Sequence, residues 1–313
     1  MPGLTTGSSP NSTKTALDEI LTSRFSVRPS EGVATAETAD LFKIAGISGS
    51  AYIFEEFAGP GKWNKHSESE DVEETSARTG NKTTQAVDDW YQDLPIPKSY
   101  FDDQKFDLVQ RAVETMGKEA RNTRDENAIG VYGDGFDKIT TPDGAYLWSA
   151  AHKNLNGDTI DNLESVAFSY TGFKTLQRTL FIQKNQRGRL GQHTPTAALF
   201  PPALFPTATE QLKCELKPVS AENDLSYVSM VYPDLKLYQS AWLDSAYNDY
   251  TNADTAYYVV SADHFITRKT REALNTVLDN WIHDKKRRYM YRGAFREVAF
   301  AGGWEGSVAS TGV

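Results

Sequence analysis

The stretch Tyr100 to Phe136, YFDDQKFDLVQRAVETMGKEARNTRDENAIGVYGDGF, governs how the rest of the chain is read. Phe106, Val109, Val113, Met116 and Ala120 recur at steps of three and four, the spacing of one apolar stripe on a helix. The other faces carry Gln110, Arg111, Glu114, Lys118, Glu119 and Arg121. Asp102 or Asp103 can cap the N-terminus, Gly117 is the one weak point inside, and the glycines at 130, 133 and 135 are expected to stop the helix. The pattern predicts a helix from about 101 to 129, a rod of roughly 40 Å whose core is that five-residue stripe. So long a rod with so narrow a stripe packs on one side and leaves the others to solvent or to further subunits.

The chain has 313 residues, 39% hydrophobic and 24% charged, enough to bury a core in one large domain or two smaller ones. Its net charge of -9 argues against a surface that clamps nucleic-acid phosphates. A single cysteine, Cys214, excludes an intrachain disulfide and reads as a half-buried structural residue. No stretch approaches the roughly 18 apolar residues that would span a bilayer, so no membrane partner is expected.

Residues 1 to about 15 read as a flexible arm, with a short helix around Leu17, Ile20 and Leu21 and another possible turn of helix between Thr35 and Lys43. The segment from 65 to 87 carries a dense acidic run between patterned flanks, as if two strands run out and back. Two readings stand for it: a solvated surface loop, or an extended hairpin that, with little apolar surface of its own, gains its order from another subunit. Further on, helix is expected between 162 and 180 with Thr171 or Ser169 as cap, then a strand at 197–200 and a helix from Ala203 past Leu212. Strand-like runs follow in YVSMVY and LKLYQSAWL, and DTAYYVVSA at 254–262 reads as a buried strand. Phe265 to Asp279 has helix-compatible composition, and the tail from 284 to 300 alternates as strands do. Those tail strands are the expected packing partner of the long helix.

No constellation for catalysis emerges. His66, His152, His193, His264 and His283 show no zinc spacing, the glycines at 133 and 135 fit neither a phosphate loop nor a calcium loop, and no nucleophile elbow is present. The carboxylates fall in surface-like runs instead of standing alone in apolar sequence, where desolvation could raise a pKa. No enzymatic activity, cofactor or metal is expected. The one strong basic run, Lys285, Lys286, Arg287 and Arg288, faces a natural counterpart in Glu70, Asp71, Glu73 and Glu74 of another copy, and these eight residues are the candidate intersubunit contacts.

Several pieces carry a resemblance: the polar hairpin, the helix ending in EARNTRDENAIGVYGDGF, the run Asp143 to His152 followed by Asn162-Leu163, and the short apolar run before Pro201 and Pro202. Their order resembles the major capsid proteins of tailed bacteriophages that share the HK97-type fold. The resemblance implies an α+β fold with an N-terminal arm (1–44), an extended loop (45–98), a peripheral domain with the spine helix (99–189), an axial domain (190–265) and a return to the peripheral domain (266–313). It also implies hexamers and pentamers of one chain in an icosahedral shell, assembled in a host cytoplasm around double-stranded DNA held by weak non-specific contacts. Too few residues precede the hairpin for a built-in scaffolding segment, so a separate scaffolding protein, a portal and a cement protein are the further partners implied. Lys62, Lys65 and Lys82 lie where some relatives crosslink, but no matching motif accompanies them. Two alternatives stand beside this reading: an encapsulin-like nanocompartment shell and a soluble enzyme with an unrecognised site.

Overall fold

The computed structural model describes residues 10–26, 31–65, 68, 74–216, 225–279 and 287–313. Helix α1 (Pro10–Phe25) is followed by strand β1 (Lys43–Gly46), the hairpin β2 (Ala51–Ala58) and β3 (Arg78–Ala86), and β4 (Asp88–Pro97). A short α2 (Lys98–Asp102) precedes the long α3 (Phe106–Gly133), and three two-residue strands come next, β5 (His152–Lys153), β6 (Thr159–Ile160) and β7 (Leu163–Glu164). The chain continues with α4 (Tyr170–Ile182), β8 (Pro195–Phe200), α5 (Phe205–Leu212), α6 (Tyr227–Val231), β9 (Lys236–Gln239) and β10 (Tyr257–Ser261). Two long strands, β11 (Ile266–Asp279) and β12 (Arg288–Ala301), and a last short one, β13 (Ser307–Ser310), complete it.

Helix α3 has 28 residues, which at 1.5 Å each makes a rod of about 42 Å. It starts at Phe106, later than its sequence predicts. Asp102 ends α2 and Asp103 is its C-cap, so neither aspartate caps α3, and Gln104, with a left-handed φ of 57°, separates the two helices. At the other end the helix runs through Gly130 and Gly133. Both glycines serve close approach: a Cβ on Gly133 would lie 2.5 Å from the Tyr250 ring, and one on Gly130 3.1 Å from its hydroxyl. Gly117 plays the same part toward α1, where a Cβ would meet the Leu21 carbonyl at 2.8 Å.

The two halves of α3 are buried differently. Val109, Val113 and Met116 form the expected stripe against Leu17, Leu21, Ile96 and Tyr291, with Phe106 and Ala120 partly buried at its ends. From Ala128 to Gly133 every residue is buried, and Ile129, Val131 and Tyr132 enter a second core with Phe42, Trp148, Leu199 and Tyr258. A narrow stripe thus widens into complete enclosure along one helix. Between the two cores lies a set of charges: Arg268 pairs with Glu297 at 3.1 Å, both buried, Arg124 is buried and pairs with the exposed Glu37 at 3.0 Å, and buried Asp125 accepts the Ala36 N–H at 2.9 Å. Burial pushes Glu297 up to about 7 although Arg268 and Arg124 oppose the shift.

Each half of the helix covers its own sheet. The four-stranded sheet has the order β1-β11-β12-β4, and α1 and the first half of α3 pack on one of its faces. The strands at its centre include the tail segment expected to partner the helix. The five-stranded sheet has the order β7-β13-β10-β8-β9, so the last strand of the chain leaves the sheet of β11 and β12. Its central β10 is buried at every residue because both faces are covered. Tyr258 and Val260 face the end of α3, while Tyr257 and Val259 face Phe173, Leu176 and Leu180 of α4 and Ala208 and Leu212 of α5. Ser169 caps α4 by accepting the Gly172 N–H.

Several elements differ from their sequence expectation. Ile266 to Asp279 is strand, because pairing with β1 on one side and β12 on the other outweighs the helix propensity of its composition. YVSMVY contains α6 instead of a strand, started by Ser226, which accepts the Ser229 N–H. LKLYQSAWL is divided between β9 and a 3₁₀ turn at Ala241–Leu243. The supposed flexible arm is helical from Pro10, while residues 1–9 lie outside the described residues. Residues 35 to 43 make turns without a helix, and Cys214 is exposed.

β4 is an edge strand with Pro95 and Pro97 near its end. Lys98 N donates to Arg287 O, so even-numbered amides of this strand point toward β12 and both prolines fall on the open side.

Val113→Asp is expected to abolish soluble, native-like expression, since it sets an unpaired charge among Leu17, Leu21 and Tyr291 at a cost of several kcal/mol. Gly133→Ala is expected to lower stability by about 1–3 kcal/mol in a melting experiment, and by much less in a Tyr250→Ala background, because the added methyl collides with that ring.

Candidate assembly surface

The hairpin of β2 and β3 is a two-stranded ribbon whose faces differ. Residues alternate across a strand, so AYIFEEFA sends Tyr52, Phe54 and Glu56 one way and Ile53 and Phe57 the other. The inner aromatics anchor its base, Tyr52 against Phe300 at 5.1 Å and Phe54 edge-on to Phe265 at 5.5 Å. Phe54 lies so close to Gly302 that a Cβ there would be 2.7 Å from the ring. The outer face has no such partners: Ile53 is 61% and Phe57 62% exposed, opposite Thr84 and Thr79, and Trp63 beyond them is 95% exposed. Lone exposed apolar residues are ordinary, but two on one strand face with a third in the loop that follows make a surface suited to another chain.

Farther from its base, the hairpin rests on loops of its own chain. Leu155 lies under Gly80, where a Cβ would be 2.4 Å from its side chain. Arg187 Nε donates to Gly59 O at 2.9 Å, and its Nη2 donates to Ser76 O, so one guanidinium joins the segment just after β2 to the segment just before β3. Glu56 is buried, with one oxygen accepting the Asn81 N–H at 3.1 Å and the other without a partner. Burial raises its pKa, and Asp143 adds to the shift. Nearby, Glu305 accepts the Gln186 N–H at 3.1 Å, and burial, then the charge of Glu56, push it up to about 7. Carboxylates with raised pKa values were not expected from the sequence. Glu56 had a readable signal, since it falls on the same strand face as Tyr52 and Phe54.

The run Asp143 to His152 forms a buried polar knot behind this seat. His152 Nδ1 lies 2.9 Å from Asp143 Oδ2 and Nε2 lies 3.1 Å from Leu147 O, so both ring nitrogens face acceptors. Asn162 donates to the same Leu147 carbonyl at 2.8 Å and accepts the Ser149 N–H at 2.9 Å, while Trp304 stacks on the imidazole at 5.5 Å. Burial alone would raise Asp143, but hydrogen bonds from His152 and Thr141 hold it at about 2. The Asp143 carboxylate, both His152 ring nitrogens and the Asn162 side chain are all engaged in holding the loop, which gives the motif a structural role.

Among the charged residues chosen as intersubunit contacts, Glu70, Asp71, Glu73, Lys285 and Lys286 lie outside the described residues, and Glu74 is exposed. Arg287 takes a left-handed φ of 49° and Arg288 opens β12 opposite Pro97. A further set of exposed apolar side chains, Leu216, Leu225, Tyr227, Met230 and Val231, occurs around α6. Among the described residues no group of three His, Cys, Asp or Glu could hold a metal ion, and no helix is long and apolar enough to cross a membrane.

No family model and no curated protein matches the chain. Solved structures share its fold over nearly its full length. The capsid of cyanophage P-SCSP1u is similar at TM-score 0.58 and 13% identity, covering 91% of this chain and 90% of that one. A virus-like particle from Pyrococcus furiosus is similar at TM-score 0.54 and 7% identity over 95% and 98% of the two chains. The capsid of an empty GTA particle is similar at TM-score 0.55 and 11% identity over 98% and 99%. At these identities the likeness is one of fold: the chain has the α+β, HK97-like architecture found in these capsids and the virus-like particle.

Phe54→Ala is expected to speed amide exchange in β2 and β3 at least about tenfold, because it removes the anchoring ring. Exchange in β8 and β10 should stay within about twofold of wild type, since those strands belong to a separate core.

Proposed function

We propose that the chain is the repeating subunit of a closed protein shell, the major capsid protein of a DNA phage particle. The observation that carries this reading is the uncovered apolar side of the hairpin, Ile53, Phe57 and Trp63, on a fold shared end to end with chains from capsids and a virus-like particle. In this reading the hairpin reaches over a neighbouring copy, whose surface covers the three side chains. Burying them would contribute on the order of 1.5–3 kcal/mol each before the cost of association. The acidic residues Glu70 to Glu74 and the basic residues Lys285 to Arg288 then pair between copies, with their charges steering register more than affinity. Residues 45–98 act as the extended loop, 99–189 with 266–313 as the peripheral domain, and 190–265 as the axial domain. Hexamers and pentamers of this one chain tile the shell, guided by a separate scaffolding protein and joined by a portal and a cement protein. DNA is held inside by weak, non-specific contacts.

A second reading is a nanocompartment shell that encloses protein cargo. It is favoured by the likeness to the Pyrococcus furiosus virus-like particle, which covers 98% of that chain. Nuclease-treated particles distinguish the two: protected DNA supports the phage capsid, while a stoichiometric enclosed protein without DNA supports the compartment.

Negative-stain microscopy of the purified protein is expected to reveal uniform shells or flat hexamers and pentamers. The double variant Ile53→Asp, Phe57→Asp should keep a native circular dichroism spectrum and lose assembly by at least about tenfold in critical concentration. A wild-type protein that stays monomeric at high concentration in low salt would overturn the assembly reading.

A further inference from the structure

The hairpin has two seats on its own subunit, and they differ in chemistry. The base is held by rings, Tyr52 on Phe300 and Phe54 on Phe265. The distal seat is polar: Arg187 donates to the carbonyls of Gly59 and Ser76, one on either side of the ribbon. At the same level the ribbon presses Glu56 into the body. One of its oxygens accepts the Asn81 N–H and the other is enclosed without a hydrogen-bond partner. Gln186 sits between this carboxyl and a second one: its backbone N–H goes to Glu305, its side-chain oxygen accepts the Leu155 N–H, and its side chain also reaches Glu56.

The groups that face Glu56 come from four elements. They are Asn81 on β3, Gln186 on the loop after α4, Asp143 on the loop after α3, and Glu305 between β12 and β13. Asp143 is an ion, held by His152 on β5, and its charge works against a second one at Glu56. Two carboxyl groups and a fixed carboxylate are thus gathered under a strand that must be seated for the ribbon to lie down.

We propose that Glu56, Gln186, Glu305 and Arg187 form a proton-controlled latch, which locks the hairpin onto its own subunit when Glu56 and Glu305 carry protons and loosens it when they ionise. An enclosed carboxyl oxygen without a partner costs less when protonated, because the neutral acid brings no charge to be stripped of water. Ionised, Glu56 keeps the hydrogen bonds of Asn81 and Gln186, but burial and the charge of Asp143 outweigh them, and Glu305 lies on the other side of Gln186. The role of the loosened hairpin, reaching to another copy, rests on the assembly reading; the latch itself does not.

Both carboxyls have raised pKa values in the seated state, Glu305 to about 7 from an ordinary 4.5. A raised carboxyl stabilises the seat fully below its ordinary value, and that contribution is lost as pH climbs through the seated value. The seat should therefore weaken across the interval from 4.5 to about 7 and stay weak above it.

Amide exchange of β2 and β3, read by mass spectrometry on the full-length subunit under non-assembling conditions and corrected for intrinsic pH dependence, tests this. Protection of the distal ribbon, Glu55 to Ala58 and Arg78 to Lys82, is expected to fall at least about tenfold from pH 5 to pH 8, the change that one pKa unit represents. β8 and β10 should not change. Glu56→Gln is expected to hold the ribbon protected at both pH values, and Glu305→Gln to reduce the pH effect. Arg187→Ala should loosen the ribbon at both pH values while keeping the pH effect. Equal protection of the wild-type ribbon at pH 5 and pH 8, or an undiminished fall in a folded Glu56→Gln or Glu305→Gln subunit, would overturn the latch. Since the readout is made on the subunit, the latch can fail while shells still form, and shells can fail while the latch holds.

Discussion

One helix is buried in two hydrophobic cores at once, and the rest of the architecture depends on it. The first half of α3 lends three apolar side chains to a core shared with α1 and the four-stranded sheet, and its last turns are enclosed by the five-stranded sheet and its loops. Because the helix is a single hydrogen-bonded rod, the two sheets share one rigid element. The close contacts are made where side chains are missing, at Gly117 toward α1 and at Gly133 toward Tyr250. Arg268 and Glu297, buried as a pair, and Arg124, which reaches out to the exposed Glu37, occupy the interval between the cores.

Much of this was legible in the sequence, for reasons that can be traced to particular residues. Val109, Val113 and Met116 betray the helix because they fall on one face, and YYVVS betrays a central strand because both its faces are covered. The places where reading failed are those decided at a distance. Glycines that look like stops are contact points, and only the position of Tyr250 or Leu21 reveals it. The helix formers in TREALNTVLD are overruled by pairing with β12, a partner ahead in the chain by the length of a strand. The polar seat of the hairpin was hidden for the same reason: Glu56 and Glu305 are far apart in sequence, and neither alone resembles a site.

The hairpin unites these observations with function. Its inner side is committed to its own chain, through rings at the base and polar groups farther out, while its outer side keeps Ile53, Phe57 and Trp63 in water. An element anchored along its inner side and apolar along its outer side is well placed to be completed by a neighbour. The buried carboxyls beneath it make its attachment conditional instead of permanent. Stability elsewhere is left untouched by that condition, since the helix and the two sheets have their own cores.

The prolines on the open side of β4 bear on geometry at a larger scale. Pro95 and Pro97 leave that margin of the four-stranded sheet without amide donors along its final turn of pairing, so a strand from another molecule cannot continue the ladder there. A ladder of backbone hydrogen bonds would hold two molecules in one register and within the limited range of angles that sheet twist allows. Contacts made by side chains, rings and long charged arms can slide and tilt before they are lost. In the shell proposed above, blocking that ladder would leave copies joined through side chains alone, contacts that tolerate the different dihedral angles of pentagonal corners and hexagonal faces.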